Sequence, residues 1–288
     1  MSYYNPFIRH DSHARRILNT HRVLAVLSWV LVVVVGLNYS VNKPHDIPDG
    51  HTIWEQVDLH PTAFSQSVVV TAIFWILLLL FQVSYLWHLF SQDPVRVTAA
   101  ANVASHFTLN NLFVFAFIML WVRNQFWPAE IVLVAHQISQ SSAYWIHLGS
   151  PPFVSLSALS GPYAWTLMTL FWDGAVAVGS NDIGARLAAN IFIWVIFVIG
   201  IIHIFLVRDY LGGYALSLLT LSLAVKQFEI KVISLQWIFA FVIFAVFFLG
   251  SLYVSTTVYS ERDIFFVKIV TQEEDREREP LLTGQESG

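Results

Sequence analysis

Long runs of hydrophobic residues, separated by short polar segments, dominate the chain between residues 23 and 254. A helix needs about 20 predominantly apolar residues to cross the hydrocarbon core of a bilayer, and several of these runs reach that length. The pattern predicts eight spans, at about residues 23–41, 66–90, 104–122, 129–148, 162–180, 187–207, 211–226 and 232–254. We therefore expect an all-α fold, a polytopic transmembrane helical bundle.

Two of these segments depart from a simple span. The fourth carries polar side chains along much of its length, including His136 and Gln140. The seventh is short and contains Gly212 and Gly213. Either segment is compatible with a re-entrant or interfacial helix instead, and seven spans are then the alternative to eight.

The composition supports a membrane protein. Hydrophobic residues make up 56% of the 288 residues and charged residues only 12%, whereas about 25% are charged in a typical soluble domain. The 11 tryptophans suit the aromatic belts at membrane borders. We divide the chain into a cytosolic N-terminal segment (1–22), a transmembrane domain (23–254) and a partly disordered cytosolic tail (255–288).

The positions of the basic residues predict the orientation. With eight spans, ten of the 15 Lys and Arg residues lie on the side of the two termini and five on the other side. Positive charge concentrates on the cytosolic side of membrane proteins, so both termini are expected in the cytosol. The one sizeable loop on the other side, residues 42–65, is long enough only for a lid or rim.

Several classes of function lack a sequence signature. Net charge is −4 and no large basic cluster exists, so nucleic-acid binding has no electrostatic support. The chain contains no cysteine and no P-loop, dinucleotide, nucleophile-elbow or HExxH motif. His51, Glu55 and His60 share one loop without a recognised ligand spacing. We expect no metal and no cofactor, and an enzyme is the less favoured class.

Asp173 is the acidic residue deepest inside an apolar segment. A carboxylate at the bilayer centre costs at least about 2.5–3.5 kcal/mol on insertion scales, so it should face the interior of the bundle. Counting residues from the ends of spans four and five places His136 at a similar depth. Ser139 and Gln140 follow at i+3 and i+4 on the same helix face.

The sequence leaves two interpretations of these four residues open. They form a polar pathway or proton relay, since histidine titrates near neutrality. Alternatively, they form a structural interhelical hydrogen bond, which typically contributes about 0.6–2 kcal/mol.

The tail contains a candidate sorting signal. Glu277 stands four residues before Leu281 and Leu282, as in the acidic dileucine signals that clathrin adaptors bind. Such a signal requires a cytosolic tail, which the charge distribution favours independently. It predicts the endomembrane system (vacuole, endosome or Golgi) rather than the plasma membrane.

Three phrases of the chain, residues 20–24, 120–123 and 127–131, resemble a fungal family of multi-pass membrane proteins, domain of unknown function 1774. The resemblance covers roughly residues 15–255. It implies a fungal endomembrane protein, and it supplies neither an activity nor a functional residue.

Three functions follow from these observations. The favoured one is a transporter-like protein for a small solute or ion, with a polar interior site at Asp173. The alternative is a non-catalytic membrane scaffold or assembly factor, which needs no polar centre. A lipid-modifying enzyme ranks third and rests on His88, His106 and His147, near the expected cytosolic ends of their spans. The bilayer is the one certain partner.

Overall fold

A computed structural model describes residues 4–180, 182–233 and 236–261, and the regular secondary structure in this part of the chain is helical. The elements are α1 (Arg15–Val41), α2 (Ile53–Leu59), α3 (Val68–Leu89), α4 (Pro94–Trp121), α5 (Phe126–Ile146), α6 (Pro152–Ser155), α7 (Gly161–Val178), α8 (Ile183–Ile201), α9 (Tyr210–Ile230) and α10 (Gln236–Glu261). Two π-helical turns, Leu156–Ser160 and Ile202–Leu206, follow α6 and α8.

Each predicted span coincides with a long helix. Six of the helices that the structure describes are long and apolar enough to cross a membrane: Arg15–Val41, Val68–Leu89, Pro94–Trp121, Ile183–Leu206, Tyr210–Ile230 and Gln236–Thr257. The short seventh segment is thus a full-length helix, α9. The helical membrane fold is confirmed at this level, whereas the count of eight crossings and the orientation of the termini stay predictions.

The helices of the fourth and fifth predicted spans, α5 and α7, fall outside that apolar set because each carries several polar side chains along its length. α7 is buried along most of its length, from Gly161 to Thr169 and again at Trp172, Asp173 and Val176. Protein rather than lipid surrounds it, so its polar side chains find partners without facing hydrocarbon.

A π-helical turn joins α6 to α7, and a proline explains where it lies. Pro162 has no N–H to donate to the carbonyl of Ala158, four residues earlier. The helix widens ahead of it, and the N–H of Gly161 bonds to the carbonyl of Leu156 instead. A Cβ at Gly161 would collide with that same carbonyl, so only glycine fits this turn.

The segment before α3 covers one end of the bundle. We call residues 42–67 the lid and the end they cover the lid end. Within it, Thr52 and Glu55 cap α2 reciprocally, and Gln56 Nε2 donates to the carbonyl of Trp121 at 2.8 Å. Gln227 Nε2, on α9, donates to the carbonyl of Thr62 at 2.8 Å. The expected lid or rim is therefore anchored to two long helices.

The N-terminal segment packs against the opposite end of the bundle. The N–H of His10 donates to Asn102 Oδ1 at 2.8 Å, and Asn102 Nδ2 donates back to the carbonyl of His10 at 3.0 Å. The hydroxyl of Tyr4 bonds to His13 Nδ1 at 3.0 Å and to His21 Nε2 at 3.1 Å. These bonds hold the first residues that the structure describes against α1 and α4.

Candidate functional site

The candidate site is a line of polar side chains along the contact between α5 and α7, which we call the α5–α7 polar seam. The two helices are antiparallel neighbours because only a short connection, α6 and its flanking residues, separates them. In this register Glu130 faces Asp173 near the lid end, and His136 faces Thr166 deeper in the bundle.

Two carboxyl groups meet at the lid end of the seam. The side chain of Asp173 is fully buried, and it interacts directly with the half-buried carboxyl of Glu130. Neither carboxyl oxygen of Asp173 has a hydrogen bond of normal geometry to the described residues. Gly174 makes room for this arrangement, since a Cβ there would lie 3.1 Å from Glu130 Oε1. The deepest acid thus has a second acid as its neighbour.

This neighbour corrects the expected pairing of Asp173 with His136. Helix α5 begins at Phe126 and α7 ends at Val178, so Glu130 stands four residues inside one and Asp173 five residues inside the other. His136 lies six residues further along α5, which at 1.5 Å per residue is about 9 Å deeper. The two residues share the seam and do not form a pair.

His136 has partners of its own. Its Nε2 lies 2.8 Å from Asn110 Oδ1, and its Nδ1 lies 3.3 Å from the hydroxyl of Thr166. The Thr166 hydroxyl also donates to the carbonyl of Pro162 at 2.8 Å. Because a hydroxyl rotates between acceptors, Thr166 is able to donate either to Pro162 or to the imidazole. Asn110 Oδ1 can only accept, so the proton of the neutral imidazole lies on Nε2, and Nδ1 is the acceptor that faces the Thr166 hydroxyl.

The polar contacts of His136 continue across α4 to α1. Asn110 Nδ2 donates to Asn111 Oδ1 at 3.3 Å, and Asn111 Nδ2 donates to the hydroxyl of Ser28 at 3.3 Å. All of these side chains are buried. The histidine therefore belongs to a network that links four helices, α1, α4, α5 and α7.

Gln140, another predicted site residue, holds the π-helical turn. Its Nε2 donates to the carbonyls of Ala158 and Leu159, at 2.9 and 3.0 Å. The first of these carbonyls is the one that Pro162 leaves without an N–H donor. Ser139 lies beside Gln140 on α5 and is half-buried. Gln140 thus has a structural role in the observed state.

A second acid, the partly buried Asp209, lies at the opposite end of the seam. Asp209 accepts hydrogen bonds from the hydroxyl of Tyr144 and from the N–H of Gly212, both at 2.9 Å. The rings of Tyr163 and His203 stand 4.7 Å apart next to it. Burial raises the pKa of Asp209 above its usual value, and the hydrogen bonds from Gly212 and Tyr144 offset part of that effect.

Each end of the seam opens on a cavity. At the lid end, a cavity of about 330 Å³ is lined by Glu130, Gly174 and Ala175, with Arg186 and Ser180 at its border. At the opposite end, a cavity of about 560 Å³ is lined by residues that include Tyr144, His147, Arg208 and Asp209. The acids at both ends of the seam are therefore next to open space.

One basic side chain, that of Arg186, lines the lid-end cavity, and more basic side chains line the cavity next to it. Arg186 and Val232 also line a neighbouring cavity of about 550 Å³, together with Lys226 and Lys231. Lys226 Nζ makes an ion pair of 2.9 Å with Asp58. We call the neighbouring cavity the lid-end vestibule, and its lining carries a net positive charge because Arg186, Lys226 and Lys231 outnumber Asp58.

Other residues singled out in the sequence lie away from the seam. Lys43 Nζ pairs with Glu55 at 3.0 Å, and His51 lies 3.9 Å from the same carboxylate. Within the described residues, no group of three or more His, Asp or Glu side chains could hold a metal ion. The sorting-signal residues Glu277, Leu281 and Leu282 lie outside the described residues.

Of the three histidines considered for an enzyme, two come together. The rings of His106 and His147 are 5.1 Å apart, and His106 Nε2 lies 3.3 Å from the carbonyl of Phe7. His88 lies near Asp93 and Arg96 instead. The N-terminal segment therefore packs directly on the histidine pair.

Sequence reasoning missed Glu130, Asn110 and Asp209. Glu130 stands only one residue inside the predicted fourth span, 129–148, so the sequence does not place it deep in the membrane. Asn110 sits inside the predicted third span, and a polar residue at that depth is a signal for an interior partner. Asp209 lay in a predicted loop, where its burial has no sequence signature.

The comparisons with known proteins name a family without an activity. Neither the curated proteins nor the solved structures gave a match. A family model described as a fungal protein of unknown function (DUF1774) matches residues 186–282. That range contains Arg186 and Asp209, whereas Glu130, His136 and Asp173 precede it. The family expected from the sequence is thus confirmed, and the chain matches the fungal family of unknown function DUF1774 over residues 186–282.

Proposed function

We propose that this protein is a proton-coupled carrier of a small solute, with Glu130 and Asp173 as its proton-binding site. The observation that supports the proposal is the direct contact of these two carboxyl groups inside the bundle, next to a cavity at the lid end. Acids in contact at membrane depth are expensive, and they mark ion or substrate pathways in many membrane proteins.

A proton stabilises this pair. Two ionised carboxylates in contact repel each other strongly where water is scarce, so the neutral or singly charged pair is the stable form. The proton then belongs to the pair rather than to either residue. Since the cavity borders Glu130, a proton or a cationic group arriving from the lid end reaches the pair there.

The seam continues toward the opposite end, with one interruption. His136 lies about 9 Å from Glu130 along α5, and Tyr144 about 12 Å further. Leu133, fully buried on the same face of α5, separates the acid pair from His136. A continuous proton wire is therefore absent along this face of α5 in the described state, and a carrier that alternates between two states fits better than an open channel.

The lid-end vestibule indicates the kind of solute. Arg186, Lys226 and Lys231 create a positive field at its entrance, and such a field concentrates anions. A cavity of about 330 Å³ is at the lower end of the usual size for small-molecule sites, roughly 300–1,000 Å³. We therefore favour a small anionic solute, which a co-transported proton would neutralise.

A scaffold or assembly factor is the second candidate. Gln140 and Ser157 use their polar groups to hold the π-helical turn, as in a purely structural interior. In that case Asp173 would affect stability alone. Transport measurements separate the two candidates.

The carrier is tested in proteoliposomes that contain a trapped pH-sensitive dye. The full-length protein should bring protons in together with a solute from a panel of small carboxylates, phosphate, amino acids and sugars. Glu130→Gln and Asp173→Asn keep hydrogen-bonding capacity and remove charge, and each should reduce coupled proton entry at least tenfold. Glu229→Gln, an exposed acid on α9, is the matched control. Undiminished coupled transport in Asp173→Asn would contradict the proposal.

The absence of cysteines gives a second test, which needs no solute. A single cysteine at Ala175, which lines the lid-end cavity, should react with a membrane-impermeant thiol reagent added on the lid side. Failure of Ala175→Cys to react from either side would remove the aqueous access that the carrier requires.

We also propose that the protein resides in the endomembrane system and that clathrin adaptors recognise its tail. The support is the sequence alone, Glu277 followed by Leu281 and Leu282. Replacement of both leucines by alanine should move the protein to the plasma membrane in fluorescence microscopy. An unchanged distribution would refute the sorting signal.

A further inference from the structure

The lid-end cavity is an elongated space between α7 and α8. Its lining extends from Leu170 to Val178 on α7 and from Ala185 to Phe192 on α8. At 1.5 Å per residue these stretches are about 12 Å and about 10 Å long. Because a short connection joins the end of α7 to the start of α8, the two helices run in opposite directions, and both of these ends lie at the lid end.

The end of the cavity that is further from this connection is aromatic. Phe171 on α7 and Phe192 on α8 line it, and their ring centroids are 5.5 Å apart. Phe64 of the lid also lines the cavity, and its ring centroid lies 5.6 Å from that of Phe171. Aromatic rings provide a large apolar surface and favour contact with another ring. This end therefore suits the apolar part of a solute.

The other end of the cavity carries a positive charge. Arg186 lies three residues after the start of α8, and it lines both the lid-end cavity and the lid-end vestibule. A solute that moves from the vestibule into the cavity therefore passes this side chain.

The charge of Arg186 is not used within the described part of the chain. The residue is exposed, and its guanidinium forms neither an ion pair nor a hydrogen bond with the described residues. Asp182, four residues earlier, caps α8 instead, since its Oδ1 accepts the N–H of Ala185 at 2.8 Å. A planar guanidinium binds a carboxylate through two parallel hydrogen bonds, so a solute carboxylate is a suitable partner.

Polar groups are few between the charged end and the aromatic end. Four of the residues that line the cavity have polar side chains, and the other lining residues are apolar: Thr62, Glu130, Ser180 and Arg186. The hydroxyl of Thr62 already accepts the N–H of Phe64 at 3.3 Å. Phosphate, a sugar or a dicarboxylate would bring polar groups to the aromatic end, where they lose water without gaining hydrogen bonds.

We propose that the solute is a small monocarboxylate with an apolar body, which binds with its carboxylate at Arg186 and its apolar body against Phe171 and Phe192. The inference rests on the proposed carrier and narrows its anionic solute to one class. Arg186 and Phe192 are six residues apart on α8, which is about 9 Å, so the solute is compact. Benzoate, with one carboxylate and one ring, is the probe for this class.

Equilibrium binding of radiolabelled benzoate to the full-length protein in nanodiscs tests the site without a proton gradient. We expect saturable binding that empty nanodiscs do not show. Unlabelled benzoate should displace the label. Benzyl alcohol keeps the ring and lacks the charge, whereas succinate keeps a carboxylate and replaces the ring by a second one. Neither should displace the label at the concentrations at which benzoate does, and the same holds for phosphate and glucose.

Substitutions of Arg186 test the charged end. Arg186→Gln removes the charge and should weaken half-saturation roughly tenfold or more, since hydrogen bonds to charged groups are the stronger ones. Arg186→Lys keeps the charge and should bind more tightly than Arg186→Gln. Arg16→Gln is the matched control, because Arg16 is an exposed arginine near the start of α1, at the opposite end of the bundle. It should bind benzoate like the wild type.

Substitutions on α8 test whether the label occupies the cavity. Ala188 lines it, so Ala188→Phe places a ring in the space and should abolish saturable binding. The neighbouring Leu187 is 61% exposed and does not line the cavity, so Leu187→Phe should leave binding unchanged. If Ala188→Phe fails to fold, as judged by thermal unfolding in detergent, Ala185→Phe fills the same cavity from one turn earlier.

Three results would overturn the inference: no saturable binding of benzoate, displacement of benzoate by succinate or phosphate as effective as by benzoate itself, or wild-type affinity in folded Arg186→Gln. Its failure is distinct from failure of the carrier. Coupled proton entry with phosphate or a sugar, and none with benzoate, would leave the carrier and overturn the monocarboxylate. Saturable binding of benzoate in this cavity without coupled proton entry would leave the site and contradict the carrier.

Discussion

Replacement of Gln140 by leucine tests how the π-helical turn before α7 is held. Gln140 Nε2 donates to the carbonyls of Ala158 and Leu159 at 2.9 and 3.0 Å, and Gln140 is buried. Leucine has a similar size and no donor. In Gln140→Leu the carbonyl of Ala158 would lose the donor that Gln140 supplies, and Pro162 has no N–H to replace it.

The expected loss follows from these two bonds. Interhelical hydrogen bonds between membrane helices contribute about 0.6 kcal/mol on average and up to about 1.7 kcal/mol. Two such bonds, both of good length, predict a decrease of about 1–3 kcal/mol in the free energy of unfolding. Gln82→Leu should lose less, because Gln82 Nε2 makes a single long bond of 3.4 Å to the carbonyl of Ser157.

Unfolding by SDS in mixed micelles, followed by circular dichroism, measures these differences. Ser142→Ala is the control, since its hydroxyl bonds within its own helix, to the carbonyl of Ile138, and is exposed. Its effect should stay below about 0.5 kcal/mol. If Gln140→Leu unfolds like Ser142→Ala, the side chain of Gln140 does not hold the turn and the structural explanation is wrong.

Two further predictions concern packing and pH. The ring of buried Phe247 occupies the place of a Cβ at Gly200, so Gly200→Ala should lower the free energy of unfolding by about 1–3 kcal/mol. Gly36→Ala should instead raise it by about 0.5–1 kcal/mol, because a Cβ at Gly36 meets no atom. Equal effects of the two substitutions in SDS unfolding would refute this contrast. Desolvation lowers the pKa of His13 below its unfolded value, and the hydrogen bond to Asn102 offsets part of this. The N-terminal segment should therefore stay docked at pH values above the unfolded pKa of about 6.5 and be released as the pH falls through the lower pKa of the folded state. Hydrogen–deuterium exchange of this segment measures its release. Equal deuterium uptake at about pH 8 and about pH 5, after correction for intrinsic exchange, would contradict the prediction.

The sequence pattern was sufficient to locate the helices, but it did not show which residues of neighbouring helices face each other. Apolar run length located every long helix, including α9, because burial in lipid requires a nearly continuous apolar surface. The polar side chains of α5 made a re-entrant or interfacial helix one interpretation of this segment, but the structure gives them a different explanation. The polar face of α5 packs on α7. Hydropathy cannot distinguish polar side chains that face another helix from polar side chains that face water.

The partner of Asp173 shows the limit of depth counting. A shift of two or three residues at each helix end changes the facing residue by more than one turn. Helix α5 starts at Phe126 rather than at residue 129, and α7 ends at Val178 rather than at residue 180. As a result, Glu130 and not His136 is the residue of α5 that faces Asp173. Packing of the two helices fixes these ends, and no local sequence signal reports it.

The open space beside Gly36 could not be predicted from the sequence for a similar reason. Gly36 lies inside the first predicted span, and small residues in transmembrane helices usually permit close helix packing. The structure shows open space at that position instead. Only the arrangement of α1 beside α3 reveals the difference between a contact and an open space.

Infrared spectroscopy of the carboxyl groups tests the central claim, a proton held by Glu130 and Asp173. Spectra of the protein in nanodiscs are recorded between about pH 5 and pH 9, and deuterium exchange identifies the protonated-carboxyl C=O band. We predict a band at neutral pH that Glu229→Gln retains and that the double variant Glu130→Gln/Asp173→Asn lacks. An identical spectrum of the wild type and the double variant across this range would show that the pair holds no proton, and the proposed proton-coupled carrier would be wrong.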